Sequence, residues 1–441
     1  MRVAFYTLGC KVNQYETQAL EQLLTRRGHT LVPFEGEADA YVINTCTVTA
    51  VSDKKSRQVI RRARKMAPDA VVAVCGCYPQ THPEDMDGLS VDLVSGTGDR
   101  LGFVELLERT WKERQPHTAL DNAMARRVFE ELPAGGLEGR TRAMLKVEDG
   151  CVNFCTYCII PYARGPIRSL PLERAAAQAA QLMEEGYREL VLTGIELASW
   201  GHEWRDGPGL MELIEGVCRA APQCRVRLGS LEPRVITAEF CARAARLDNL
   251  CPHFHLSMQS GCDAVLQRMN RRYDTARFFQ SVELLRGHFD LPAITTDMIV
   301  GFPGETEEEF QTSLDFIRRC AFSAMHIFPY SRRPGTPAAR MAGQVPNGVK
   351  EERAHRAAQV AAEMEQRYLA RFVGRTEPVL FEEQRDGLWW GHTTRYSEVA
   401  VESGDGLHNR LREVRLTGVE GATLRGTLFS PAGGAAEETV V

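Results

Sequence analysis

Cys151, Cys155 and Cys158 stand in one short stretch, Lys146–Ser169, with the spacing CxxxCxxC. Three thiolates so close on one loop form a soft, anionic ligand set with little chain to order. Three chemistries use such a set. Structural zinc asks for four protein ligands, and no further Cys or His follows until His202. A CxxC redox pair would employ Cys155 and Cys158 and leave Cys151 idle, in a chain without a thioredoxin-like pattern around it. A cubane [4Fe–4S] cluster held by three cysteines keeps one iron open for a substrate, and the spacing favours it.

Cys10, Cys46 and Cys77 each follow an apolar stretch that reads as a strand: Arg2–Leu8, Ala40–Asn44 and Ala70–Val74. Ligands of an open α/β sheet gather beyond the carboxyl ends of its strands. Cysteines at three such ends either converge on a second cluster or are buried thiols scattered through a core. Cys75, inside the third strand, reads as a core thiol, and Cys218, Cys224, Cys241, Cys251, Cys262 and Cys320 fit no ligand spacing.

Strand and helix alternate through residues 1–113. Val12–Arg27 carries Ala19, Leu20, Leu23 and Leu24 on one face, a basic helix spans Ser52–Met66, Asp92–Ser95 is a shorter strand, and a helix ends near Trp111. That order predicts an α/β domain on an open parallel sheet. Residues 114–140, ending in PAGGLEGR, have no sustained periodicity and predict a linker, with Arg126, Arg127 and Phe129 on a solvated surface.

Residues 141–370 hold six strand candidates: Ala143–Val147, Glu189–Thr193, Arg225–Leu228, His253–Met258, Ile294–Val300 and Met325–Pro329. Helices centred near residues 178, 214, 240, 265, 281 and 313 separate or follow them. Six such units predict a partial (β/α)6 barrel whose active site lies at the carboxyl ends of its strands. The CxxxCxxC loop follows the first of them. The helix near 313 opens on a capping box, Thr306 with Glu309. After a helix over Lys350–Phe372, residues 371–430 carry short strand-like runs between Gly and Asp or Asn, which predict a small antiparallel β-barrel. Residues 431–441 read as a disordered tail.

Of 441 residues, 44% are hydrophobic and 25% charged, with a net charge of −5, so the chain as a whole is no polycation. Local charge differs: Lys54, Lys55, Arg57, Arg61, Arg62, Arg64 and Lys65 crowd the basic helix, to face either phosphates or water. Residues 371–441 hold eight Arg and no Lys against eleven Asp and Glu, with Trp389, Trp390 and Tyr396 as candidate base-stacking groups. No apolar run reaches bilayer length and the start, MRVAFYTLGC, lacks the features of a signal peptide. With thirteen cysteines, a reducing compartment and hence a cytoplasmic location are expected.

CxxxCxxC, with Tyr157 in the aromatic slot before its last cysteine, resembles the signature of radical S-adenosylmethionine (SAM) enzymes. TLGCKVNQYE, INTCTVT and CGCYPQ further resemble the methylthiotransferase family within that superfamily, and Lys11–Val12–Asn13 and Thr47–Val48–Thr49 resemble the branch acting on threonylcarbamoyladenosine in tRNA. The resemblance implies two [4Fe–4S] clusters, one on Cys151, Cys155 and Cys158 and one on Cys10, Cys46 and Cys77, together with SAM, a cellular electron donor and a sulfur source. It implies a methylthio group added at C2 of the modified adenosine beside the anticodon, at position 37. It places Thr193, Gly194 and Glu196 near the SAM amino group, Ser230 and Glu232 near its ribose or methionine part, Gln259 at the next strand end, Val300 and Phe302 at the adenine, and Arg271 at the SAM carboxylate or an RNA phosphate. Arg164 and Arg168 would close or dock the active site. The β-barrel becomes a TRAM-like RNA-binding domain. Val152 departs from the Asn frequent in relatives, at a position that carries no ligand. Other readings are the same chemistry on another tRNA adenosine or on a ribosomal protein, and a non-enzymatic iron–sulfur RNA-binding protein.

Overall fold

A computed structural model describes residues 1–135 and 140–429. Residues 136–139, within PAGGLEGR, and the expected tail lie outside the described residues. The first unit is a six-stranded, wholly parallel sheet in the order Thr30–Val32, Arg2–Thr7, Ala40–Thr45, Val71–Gly76, Leu93–Ser95, His117–Ala119. Helices Lys11–Arg26, Ala50–Met66 and Arg100–Glu113 cover its faces. Ile43, Val72 and Val74 feed one core, and Val42, Ala73 and Phe103 feed the other. This continuous apolar content is what a sheet covered on both sides requires.

Two short edge strands were not predicted. Thr30–Val32 and His117–Ala119 have three residues each, too few to show alternation, and the second falls in the expected linker. Other linker residues are also committed. Arg126 donates to Thr97, Gln80 and Asp121, and the Lys146 ammonium lies 5.6 Å from the Phe129 ring, so neither is a free surface group.

In the second unit the strands Arg142–Lys146, Glu189–Thr193 and Arg225–Leu228 form one parallel sheet, and Ser230–Leu231, His253–Gln259, Ala293–Val300 and Ala324–Pro329 form another. Only Gly229 separates the two sheets in the chain, so six strand positions run round an open, partial barrel. The helix Glu307–Cys320 opens on the predicted capping box. Removing the Thr306 hydroxyl would cost about 1 kcal/mol.

The helix Asn347–Ala370 leads to a closed five-stranded barrel in the order Thr376–Arg385, Leu388–Thr393, Glu398–Glu402, Thr423–Leu428, Leu411–Glu420. One pairing, Glu398–Glu402 with Thr423–Leu428, is parallel, where an all-antiparallel barrel was expected. Alternation within a strand fixes which face is buried and carries no information on the direction of its neighbour. Trp389 points into this core and Trp390 lies under Arg385 and Arg425.

Candidate active site

The loop 150–159 leaves the barrel after its first strand and is pinned from below by the segment 268–271. Thr156 donates its N–H to the Met269 carbonyl (3.0 Å) and its hydroxyl to the Arg268 carbonyl (2.9 Å), and Asn270 donates to the Phe154 carbonyl (3.1 Å). Arg271 is half-buried, with one guanidinium N–H on the Cys155 sulfur (3.3 Å) and another on the Ser257 carbonyl (2.9 Å). The arginine expected to meet a carboxylate or phosphate thus holds a thiol of the loop. Tyr157 packs with Val265, Met269 and Phe302. Burial pushes the Cys158 thiol up to about 12 and raises the Cys151 thiol further, each also feeling the charge of Cys155. Three thiols this near and this desolvated fit a cationic iron cluster, which would hold them as thiolates.

The next strand end carries two buried carboxyls, Glu148 and Glu196. Thr193 is buried, and a Cβ at Gly194 would lie 2.7 Å from Glu148 Oε2, so glycine keeps the turn close to that carboxyl. Glu148 Oε2 accepts the Glu196 N–H (2.8 Å), yet Glu148 Oε1 and Glu196 Oε1 are buried with no partner. Burial pushes the Glu196 carboxyl up to about 7, with Glu232 reinforcing and Arg271 opposing. A buried carboxyl oxygen without a partner suits an ammonium ligand. Glu232, Cys155 and Arg271 line a small pocket beside it, Ser230 is exposed, and Gln259 ends its strand at φ 68° after a register shift. Val300 and Phe302 have no exposed surface, so a ligand there would meet main chain and not these side chains.

Cys10, Cys46 and Cys77 sit at the ends of three adjacent strands of the first sheet. A Cβ on Gly9 would stand 2.8 Å from Cys46 Cβ, which brings the Cys10 turn against Cys46. Gly76 has φ 99°, and its Cβ would lie 2.5 Å from the Thr45 carbonyl, so the turn into Cys77 requires glycine. Burial pushes the Cys77 thiol up to about 12, with Cys46 and Cys10 raising it further. Among the described residues no His, Cys, Asp and Glu group is arranged for a single metal ion. A cubane takes its ligands on separate irons and needs a wider triad than one tetrahedral ion does.

Arg164, six residues after Cys158, joins the two triads. It donates to Asn13 Oδ1 (2.7 Å) and is paired with Glu16 and Asp149. Asn13 in turn donates to the Leu8 and Thr45 carbonyls beside Cys10 and Cys46. Lys146 and Arg100 complete the cluster around Glu16. Against the cost of burial, Arg164, Arg100 and Lys146 hold the Glu16 carboxyl well below the ordinary carboxylate range. A second strut pairs buried Arg333 with Asp53 and Thr47. Arg168 turns back on the Arg164 and Pro166 carbonyls.

Sequence reasoning missed the exposed Phe154–Tyr162 pair, which joins the cluster loop to the short helix after it (ring centroids 5.9 Å apart). In the basic helix, Arg57, Arg62 and Arg64 are spent on Asp85, Glu35 and Asp92, while Lys54, Lys55, Arg61 and Lys65 are exposed. Tyr396 lies against Arg142, Arg227 and His392. No helix among the described residues is long and apolar enough to cross a membrane.

Residues 2–96 match the uncharacterized protein family UPF0004, and residues 145–317 match the radical SAM superfamily. The chain is 42% identical to the threonylcarbamoyladenosine tRNA methylthiotransferase MtaB of Bacillus subtilis, over 94% of this chain and 93% of that protein. It is 39% identical to the Thermotoga maritima protein of the same name, over 86% of each. It is 34% identical to the tRNA-2-methylthio-N(6)-dimethylallyladenosine synthase of Moorella thermoacetica, over 96% of this chain and 97% of that one. Among solved structures, the radical SAM methyltransferase TsrM of Kitasatospora setae shares the fold, with TM-score 0.55 at 16% identity over 82% of this chain and 89% of that one. With both domain matches in chain order and relatives aligned almost end to end, the chain belongs to the radical SAM tRNA methylthiotransferase family.

Proposed function

We propose that this protein adds a methylthio group to C2 of N6-threonylcarbamoyladenosine beside the anticodon of tRNA. The observation that carries the reading is the pair of cysteine triads at neighbouring strand ends, tied to each other through Arg164 and Asn13. The identity to two threonylcarbamoyladenosine enzymes supports the choice of nucleoside.

Cys151, Cys155 and Cys158 would hold one [4Fe–4S] cluster, and Cys10, Cys46 and Cys77 a second. With SAM bound, these groups supply one-electron reduction, hydrogen abstraction from an unactivated C–H bond, sulfur and methyl. The chain's own residues bind and orient. Arg271 fixes the Cys155 sulfur and keeps it near a positive charge. The Glu196 carboxyl, whose Oε1 has no partner, accepts the SAM ammonium, and Glu232 and Ser230 lie toward the rest of the methionine and ribose. The main chain at Val300–Phe302, opened by Gly301 at φ 69°, meets the adenine ring, and Thr193, Gly194 and Gln259 shape the remaining wall. Arg164 sets the spacing between the triads. The β-barrel of residues 371–430 and the free lysines of the basic helix serve the RNA. An electron donor and a sulfur source complete the reaction, in the cytoplasm where tRNA is modified.

Nucleoside mass spectrometry of tRNA from a deletion strain tests the reading. Loss of the methylthio group from threonylcarbamoyladenosine is the expected result. An unchanged level would reject it, and loss from dimethylallyladenosine would move the protein to the other tRNA branch.

A further inference from the structure

Filled eight-stranded barrels pack side chains across their interior. The six-stranded one here is closed at its floor by a single ring. Tyr396, carried in from the C-terminal barrel, lies 4.9 Å from the Arg142 guanidinium, 4.8 Å from that of Arg227 and 5.6 Å from the His253 ring. Arg142 and Arg227 belong to the first sheet and His253 to the second, and Arg142 and His253 each begin a strand. Residues of both sheets meet on one ring, so the two inner faces share one space with Tyr396 at its amino end.

Nearer the carboxyl ends, the second sheet carries a polar patch on its inner face. Phe254, Leu256, Ile294, Met298, Met325 and Ile327 pack outward into the core under the helices. The residues alternating with them, among them His255, Thr295, Asp297, His326 and Phe328, therefore face inward. His255 is the cross-strand partner of Thr295, and Asp297 that of His326. His255 is engaged at both nitrogens: Nδ1 is hydrogen-bonded to the Thr295 hydroxyl (3.0 Å), and Nε2 lies 3.4 Å from Asp297 Oδ2. The His326 ring stands 6.4 Å from that of His255 and 6.5 Å from that of Phe328. Among the described residues His326 has no hydrogen bond or ion pair, and it is exposed. Phe328, on the same face, is 44% exposed. Inward-facing side chains stay exposed only where nothing fills the space before them, so there is room at this patch.

The group is not arranged for a metal ion. What it offers is a carboxylate that accepts and an imidazole that donates, side by side on neighbouring strands. A second carboxylate would be repelled by Asp297, whereas one hydroxyl can donate to Asp297 and accept from His326 at once. Asp297 and His326 stand three residues before the ends of their strands, Val300 and Pro329, about 10 Å below the rim that carries the cluster loop. A base turned out of its stack with C2 at that rim can send its N6 substituent inward. Threonylcarbamoyladenosine carries a hydroxyl at the far end of that substituent, and dimethylallyladenosine carries only hydrocarbon. A site built to hydrogen-bond a hydroxyl rejects the analogue without it, because its own polar groups are then left unmatched.

Resting on the function proposed above, we infer that Asp297 and His326 bind the threonyl hydroxyl of the substrate and so select the nucleoside. They are specificity residues, and the reacting C2 lies at the rim above them.

The test is equilibrium binding of cluster-loaded protein, without reductant, to two anticodon stem-loops. One carries threonylcarbamoyladenosine and the other its valyl analogue, in which a methyl group replaces the hydroxyl and the carboxylate is kept. Wild-type protein should bind the valyl RNA about 10-fold more weakly, which corresponds to about 1.4 kcal/mol. His326→Phe should bind both RNAs alike, at the weaker level, and His326→Gln, which can still donate, should keep the preference. Iron content shows that each variant retains its clusters. Equal binding of the two RNAs by the wild type overturns the inference with no variant needed, as does an iron-loaded His326→Phe that still prefers the threonyl RNA. A wild type that methylthiolates threonyl and valyl RNA with equal efficiency defeats this inference alone. One that methylthiolates dimethylallyladenosine RNA and ignores threonylcarbamoyladenosine defeats the function reading.

Discussion

The two cysteine triads reach the same kind of ligand set by opposite routes. Cys151, Cys155 and Cys158 lie within eight residues on one loop, while Cys10, Cys46 and Cys77 are spread over 68 residues and meet only because three strands lie side by side in parallel. The first set asks a short loop to stay in place, which Thr156, Asn270 and Arg271 arrange. The second asks a whole sheet to fold and then leans on Asn13 and Arg164 to hold its turns. A local site is exposed to point changes in its loop, and an assembled site is exposed to anything that loosens the sheet or its docking.

Cysteine replacement gives the largest contrast. Cys155→Ala should abolish both SAM cleavage and methylthiolation, whereas Cys46→Ala should keep SAM cleavage and lose the methylthio product. Assays of 5′-deoxyadenosine and of the modified nucleoside read the two separately, and product formation by Cys46→Ala would dissolve the distinction. Arg164→Met comes next. Leaving Glu16 and Asp149 short of their cation in a buried site should cost about 3–5 kcal/mol in denaturant unfolding. Iron should be lost from the assembled triad first, and equal loss from both would contradict the stated dependence.

A smaller effect concerns the carboxyl beside the local triad. Native Glu196 holds its proton up to about pH 7, and the unfolded chain releases it near 4.5. Between those values the unfolded state binds fewer protons, so this group lowers stability as pH rises, by about 3 kcal/mol across the window. In metal-free protein Glu196→Gln should remove that slope, and an unchanged pH profile would refute the assignment. The mildest change is Lys54→Ala with Lys55→Ala. It should weaken tRNA binding a few-fold and reduce the log–log salt slope by about 1.5, sparing both iron sites. A constant slope would assign this helix to solvent.

Much of this contrast was legible in the residues. CxxxCxxC needs no fold to be noticed, and Cys10, Cys46 and Cys77 announced themselves by following three apolar runs. What joins them was not legible. Glu16 and Arg164 are 148 positions apart, and Arg333 finds Asp53 across 280, so neither pair leaves a periodic trace. The three-residue edge strands were too short to show alternation, and the parallel closure of the last barrel was hidden for another reason. Strand order is a property of neighbours, and local alternation reports one strand at a time.

Glu16 accepts from Arg100 of its own unit and from Lys146 and Arg164 of the next. Residues 1–113 are therefore poor cargo for domain swapping: a chimera that joins them to a foreign barrel strands a carboxylate, or a cation, away from water. Any change in this patch has to be matched across the seam, which binds the inheritance of one half of the molecule to the other.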